Sequence, residues 1–134
     1  MTGYSETPLT KKLGLKEGTT AFMVNAPNEY FDWLAHLPAS IQIKKRISSS
    51  LDFAHVFVTN NKAFQENFLK VKAHLKPSGM VWISWPKKTS KVPTDLDENV
   101  IRDFGLANGM VDVKVCAVNE VWSGLKFVFR LKDR

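Results

Sequence analysis

At 134 residues, with 44% hydrophobic and 11% aromatic side chains, the chain has the size and composition of one domain that builds its own apolar core. Its lone cysteine, Cys116, excludes an intramolecular disulfide framework. It has no run of about 18 apolar residues to span a membrane, and MTGYSETPLTKK lacks the apolar stretch of a secretory signal, so a cytoplasmic location is expected. The net charge of +6 is concentrated: residues 41–91 carry ten basic side chains against Asp52 and Glu66, and the flanking segments stand at −1 each. That imbalance points towards an anionic partner.

Residues 1–12 read as a flexible lead-in and residues 13–134 as a single domain. Thr20 to Val24, apolar and partly β-branched, predicts a buried strand. Asn28 is the expected N-cap of a helix NEYFDWLAHL, with Tyr30 or Phe31, Leu34 and Leu37 on one face and Pro38 as its stop. Ile41 and Ile43 alternate with polar residues in a very short edge strand, ahead of KKR and the loop SSS. FAHVFVT is the clearest strand. NNKAFQENFLKVKAHLKPSG is the clearest helix, with Phe64, Phe68, Val71 and Leu75 in one stripe and Glu66 paired with Lys70 outside.

Gly79 closes the next turn, and MVWISW is another continuous buried strand. Beyond the polar loop PKKTSKVP, Thr94 and Asp97 form a capping signal for a helix bearing Leu96, Val100, Ile101 and Phe104, ended by Gly105. VDVKVCAV is a strand. The last segment, LKFVFRLK, alternates between an apolar face (Leu125, Phe127, Phe129, Leu131) and a largely basic one (Lys126, Val128, Arg130, Lys132). This succession predicts an α/β fold: a three-layer Rossmann-like sheet, mostly parallel with an antiparallel last strand, in the order 2-1-3-4-6-5.

In such a sheet, ligands bind beyond the carboxyl ends of the parallel strands, where the strand order reverses. The switch falls between the first strand and FAHVFVT. The loops at that edge supply Asn25 and Asn28, Thr59 and Asn60, then Trp85, Lys87, Lys88 and Thr94, and finally Asn119, Glu120 and Trp122. Lys87 and Lys88 suit phosphate or carboxylate capture, or simply face solvent. Trp85 and Trp122 stack on a base or fill core. Glu120 is a general base or ligand contact, or a surface ion-pair residue. His36, His55 and His74 lack metal-ligand spacing, so no metal site is expected; Cys116, between Val115 and Ala117, reads as core.

From about Lys12 onwards, KLGLKEG, NAP, FVT, LKPSGMVWISWPKK, VPTDL and VDVKVCAVNEVWSGLKF together resemble a small bacterial family of unknown function with an S-adenosylmethionine-methyltransferase-like fold. The resemblance implies the fold and no particular activity. Two departures from methyltransferases bear on the cofactor. Those enzymes follow the first strand with a D-x-G-x-G turn, whose glycines let backbone amides approach the ligand; VNAPNEY has no glycine, and its proline lacks an amide donor. They also place an acid after the second strand for the ribose hydroxyls. Here Lys44, Lys45 and Arg46 favour phosphate instead, so S-adenosylmethionine is disfavoured. The leading expectation is a domain binding an anionic small molecule, a nucleotide or phosphorylated metabolite, without catalysis. The alternatives are a divergent S-adenosylmethionine-dependent methyltransferase and an interaction module that meets nucleic acid or protein with its basic strand face.

Overall fold

The computed structural model of the chain describes residues 8–34 and 36–134. A short helix α1 (Leu9–Leu13) precedes β1 (Thr20–Val24), α2 (Tyr30–Trp33), β2 (Gln42–Lys44), β3 (Leu51–Phe57) and α3 (Asn61–Lys72). Then come β4 (Leu75–Pro86), α4 (Glu98–Ala107) and the hairpin of β5 (Met110–Ala117) with β6 (Trp122–Phe129). The six strands form one sheet in the order β2-β1-β3-β4-β6-β5. It is parallel from β2 to β4, and β6 runs antiparallel to both neighbours, as the sequence predicts. Of the lead-in expected over 1–12, residues 1–7 lie outside the described residues.

The two-residue period of a strand divides the core between the faces of the sheet. On one face Ala54, Val56, Val81, Ile83, Leu125 and Phe127 pack beneath α3 and α4, chiefly against Phe64, Phe68, Val71 and Ile101. On the other, Phe53, Phe57 and Trp82 pack against Leu13, Leu15, Tyr30 and Leu34. The Trp82 indole Nε1–H donates to the Leu13 carbonyl at 2.8 Å, fastening α1 to the sheet. From β2 to β3 the chain crosses over β1 through residues 45–50 alone. Parallel crossovers generally take a dozen residues or more; this one is short because β2 is, and Ile47 seals it against the α3 side of the core.

Several local readings are corrected. α3 stops at Lys72, and Leu75 opens β4 opposite Leu51. Pro77 disfavours a helical conformation at Lys76, so the helical spacing of Leu75 is coincidental. Gly79 lies in β4 rather than a turn, in a place where a Cβ would come within 2.9 Å of the Leu51 carbonyl oxygen. α2 is a single turn whose cap position is Glu29, not Asn28, because its buried stripe is only Tyr30 and Leu34; Phe31 is 47% exposed. Asp97, not Thr94, caps α4, accepting from the Val100 amide at 2.8 Å, while Thr94 accepts from the Leu96 amide.

Glu66 and Lys70 are not among the ion pairs of the described residues, which are Lys76–Asp52, Arg102–Glu98 and Arg102–Asp112. An exposed i,i+4 pair gains only a few tenths of a kcal/mol. Alternation in the last strand ends at Phe129, leaving Leu131 80% exposed.

Gly105 does not stop α4, which continues to Ala107. It is a packing residue: a Cβ there would lie 2.1 Å from Cε1 of the fully buried Phe127. Alanine for glycine within a helix ordinarily stabilises by about 1 kcal/mol. Gly105→Ala is expected to do the opposite, lowering stability by about 1–3 kcal/mol through overpacking, as read by urea unfolding.

Candidate functional site at the carboxyl edge

β1, β3 and β4 finish on one edge of the sheet, Val24 level with Val56, Phe57 with Ser84, and Pro86 opposite Trp122. The loops that follow them, with the β5–β6 turn, surround the switch between β1 and β3. Immediately after β1, Asn25 has φ 56°, in the left-handed region. Asparagine is one of the few residues that enter that region without the full Cβ penalty. The turn thus takes a glycine-like backbone conformation without glycine. The Asn25 Nδ2 reaches over the switch to the Phe57 carbonyl in a long contact of 3.5 Å.

The turn is anchored from below by three polar side chains, each fully buried. The Tyr30 Oη lies 2.8 Å from His55 Nδ1, and His55 Nε2 lies 2.7 Å from Ser84 Oγ. With the phenol as donor, the imidazole is neutral and its Nε2–H donates to the serine. Burial drives the His55 pKa down to about 3 and pushes the Tyr30 phenol above its ordinary value. This chain of hydrogen bonds is a structural tie, closed to solvent. Above it His55 stacks on Phe57 at 4.3 Å, and Phe57 meets Trp122 edge-on at 5.1 Å, so an aromatic column rises from the core to the half-buried Trp122 at the edge. Metal-ligand spacing, the only role weighed for His55 from the sequence, does not bear on this tie. The signal that could have revealed it is a pair of polar residues, His55 and Ser84, inside two apolar runs.

The remaining site residues separate into two groups. Thr59 and Asn60 follow β3 at the switch and are exposed, although the Asn60 side chain is occupied in capping α3 through the Ala63 amide. Asn28 is exposed on the first loop. Asp95, which sequence reasoning passed over, accepts from the Asn61 amide at 2.7 Å and so fastens the loop after β4 onto the start of α3.

Trp85, Lys87 and Lys88 belong to a cavity of about 330 Å³ on the α4 side, together with Asp97, Glu98 and Ser123; no switch residue lines it. Trp85 is 6% exposed there. Of the two carboxylates that share this wall with the lysines, Glu98 is paired with Arg102 and Asp97 caps α4. In the β5–β6 turn, Asn119 Oδ1 accepts from the Val121 and Trp122 amides, leaving Glu120 exposed at the tip. Burial pushes the thiol pKa of half-buried Cys116 up, against the pull of Lys12 and Lys114.

Among the described residues, no group of three or more His, Cys, Asp or Glu side chains is placed to hold a metal ion, and no helix is long and apolar enough to cross a membrane. At the β1–β3 switch the left-handed backbone at Asn25 offers a conformation that glycine would otherwise supply. The basic residues after β2 supply no carboxylate for a ribose diol, so that contact has to come from elsewhere on the edge.

The fold is that of S-adenosylmethionine-dependent methyltransferases. A methyltransferase of this kind from Aquifex aeolicus superposes with a TM-score of 0.65 at 17% identity, over 91% of this chain and 88% of that one. A putative type 11 methyltransferase from Sulfolobus solfataricus gives 0.62 at 17% identity, over 91% and 89%. The DhpI–SAH complex gives 0.61 at 9% identity, over 92% and 83%. No family model matches the sequence, and no curated protein matches it.

These likenesses count against the expectation of a non-catalytic anion binder and against disfavouring S-adenosylmethionine. Both expectations rested on the missing glycine, the first also on Lys87 and Lys88 and the second on Lys44, Lys45 and Arg46 in place of an acid. Asn25 takes a left-handed backbone conformation without glycine, and Lys87 and Lys88 line the α4-side cavity rather than the switch.

The buried tie makes a prediction about acid. A histidine held neutral in the fold stabilises it fully above its unfolded pKa near 6.5. That stability drains away as pH falls from there towards the folded value of about 3. Unfolding free energy should therefore drop below pH 6.5, by up to about 1.4 kcal/mol per pH unit from this group. In His55→Gln the decline between pH 6 and 4 should be shallower by that slope, as measured by denaturant titration at each pH.

Proposed function

We propose that the protein is a divergent S-adenosylmethionine-dependent methyltransferase whose cofactor lies across the β1–β3 switch. The observation that carries this reading is the left-handed turn at Asn25, directly after β1 in a methyltransferase topology. The cofactor supplies an electrophilic methyl group on a sulfonium, transferred to a nucleophile of the substrate. The chain's own part is to bind and orient. Residues 25–29 form a turn held at one end by β1 and at the other by the buried Tyr30, so its backbone is set before any ligand arrives. Such preorganisation lowers the ordering cost of binding.

Around the turn, Asn28, Thr59 and Asn60 offer neutral donors and acceptors for the hydroxyl groups of the nucleoside, in place of the missing acid. Trp122 and Glu120 stand at the β6 side of the same edge. We assign them to the substrate: the indole as an apolar wall, and the carboxylate as an acceptor for any proton the nucleophile gives up.

Asn25 separates this reading from a chance turn. Isothermal titration with S-adenosylhomocysteine should register binding to the wild-type protein. Asn25→Gly should keep its affinity within about threefold, because glycine adopts the same φ freely. In Asn25→Val, a β-branched side chain disfavours that φ by about 1.4 kcal/mol, and affinity should fall about tenfold. Absence of heat with the wild type, or equal affinity in all three proteins, would count against the proposal.

A further inference from the structure

Lys114 on β5 and Lys126 on β6 are direct partners across the antiparallel ladder and point to the same face of the sheet. Like charges placed opposite one another work against strand pairing. The face holds more positive charge besides. The Lys114 Nζ donates to the Lys12 carbonyl at 3.1 Å, which brings the end of α1 alongside. Lys126 also lies opposite Trp82, whose indole is fastened to Leu13. The chain leaving α1 there buries Leu15 and exposes the next residue, Lys16.

Away from Lys16, the carboxylates lie elsewhere. Asp112, the acid on β5, is bound to Arg102 of α4 on the opposite face. Asp52 and Glu17 lie towards the amino edge, where they line a cavity with Lys16, and Asp52 is paired with Lys76 at 2.9 Å. None of Lys12, Lys16, Lys114 and Lys126 is in an ion pair among the described residues. Burial, then the charges of Lys114 and Lys16, hold the Lys126 ammonium below its ordinary pKa.

We propose that this face of the β5–β6 hairpin, with Lys12, Lys114 and Lys126, docks the phosphodiester backbone of a single-stranded nucleic acid. Lys114 and Lys126 sit on adjacent strands, roughly 5 Å apart, with Lys12 alongside, a narrow patch that suits one backbone rather than the two that flank a duplex groove. Lysine is a point charge without the planar fork of arginine, so the surface suits phosphates and reads no bases. Of the exposed apolar residues of β5, Val115 pairs with Leu125 and so belongs to the other face, while Val113 lies in the irregularity beside Lys114.

Arg130 and Lys132, grouped with Lys126 in the sequence, are not part of the patch. The Arg130 Nη2 donates to the Leu106 carbonyl, and Lys132 lies beyond β6. The surface does not depend on the cofactor reading. A strand laid along β6 past Gly124 would, however, reach the carboxyl edge at Trp122.

The test is fluorescence anisotropy of a labelled single-stranded oligoribonucleotide, without cofactor, at several salt concentrations. Three phosphate contacts should give a log–log salt slope of about −2. Lys114→Gln with Lys126→Gln should weaken binding at least about tenfold and flatten the slope by about 1.4. Their thermal midpoint should be unchanged or raised, because a like-charge pair is removed. Lys87→Gln with Lys88→Gln should bind as the wild type does. No binding at low salt, equal loss in both double variants, or tighter binding to polyglutamate or to phosphatidylserine vesicles would overturn the proposal.

Discussion

An imidazole in the middle of a strand buried on both faces has to find partners for both of its nitrogens, and much of this structure follows from how His55 does so. An unsatisfied buried polar group costs about 1–3 kcal/mol, and no such side-chain atom remains among the described residues. Ser84 answers one nitrogen from the neighbouring strand, which costs nothing in topology. Tyr30 answers the other from the far side of the turn after β1. That second bond is what lets a helix of one turn stand where longer ones are usual, because its position is set by a buried tie as well as by apolar contact. It also holds the downstream end of residues 25–29, so the loop at the switch is constrained from both sides.

The polar residues of the carboxyl edge divide their labour. Asn60, Asp95, Asp97, Thr94 and Asn119 are engaged with backbone amides, closing turns and capping helices. Their side chains stiffen the rim. Asn28, Thr59 and Glu120 stay exposed on that stiffened rim. A site built in this way binds through a few neutral groups and backbone atoms, with little net field.

The strand order was legible because it depends on features a sequence states directly. Continuous apolar runs mark strands buried twice, strict alternation in LKFVFRLK marks the last one, and a short turn before it forces the antiparallel hairpin. The carboxyl edge followed from topology for the same reason. What stayed hidden were outcomes of contacts between distant segments. The conformation of Asn25 is selected by its surroundings, so the absence of glycine misled. That Lys87 and Lys88 line a cavity with α4 rather than the switch depends on how the loop after β4 packs. Gly105 looked like a helix stop because nothing local reveals the Phe127 ring beneath it. His55 and Ser84 are 29 residues apart, and only the register of β3 against β4 makes them neighbours.

The location of the cofactor is open to direct observation by titrating isotopically labelled protein with S-adenosylhomocysteine and following its amide and indole resonances. Binding across the switch predicts perturbations at Asn25 to Glu29, at Val58 to Asn60 and at the Trp122 indole, with the α4 cavity silent. Perturbations confined to Lys87, Lys88 and Asn99, or none at millimolar ligand, would contradict it.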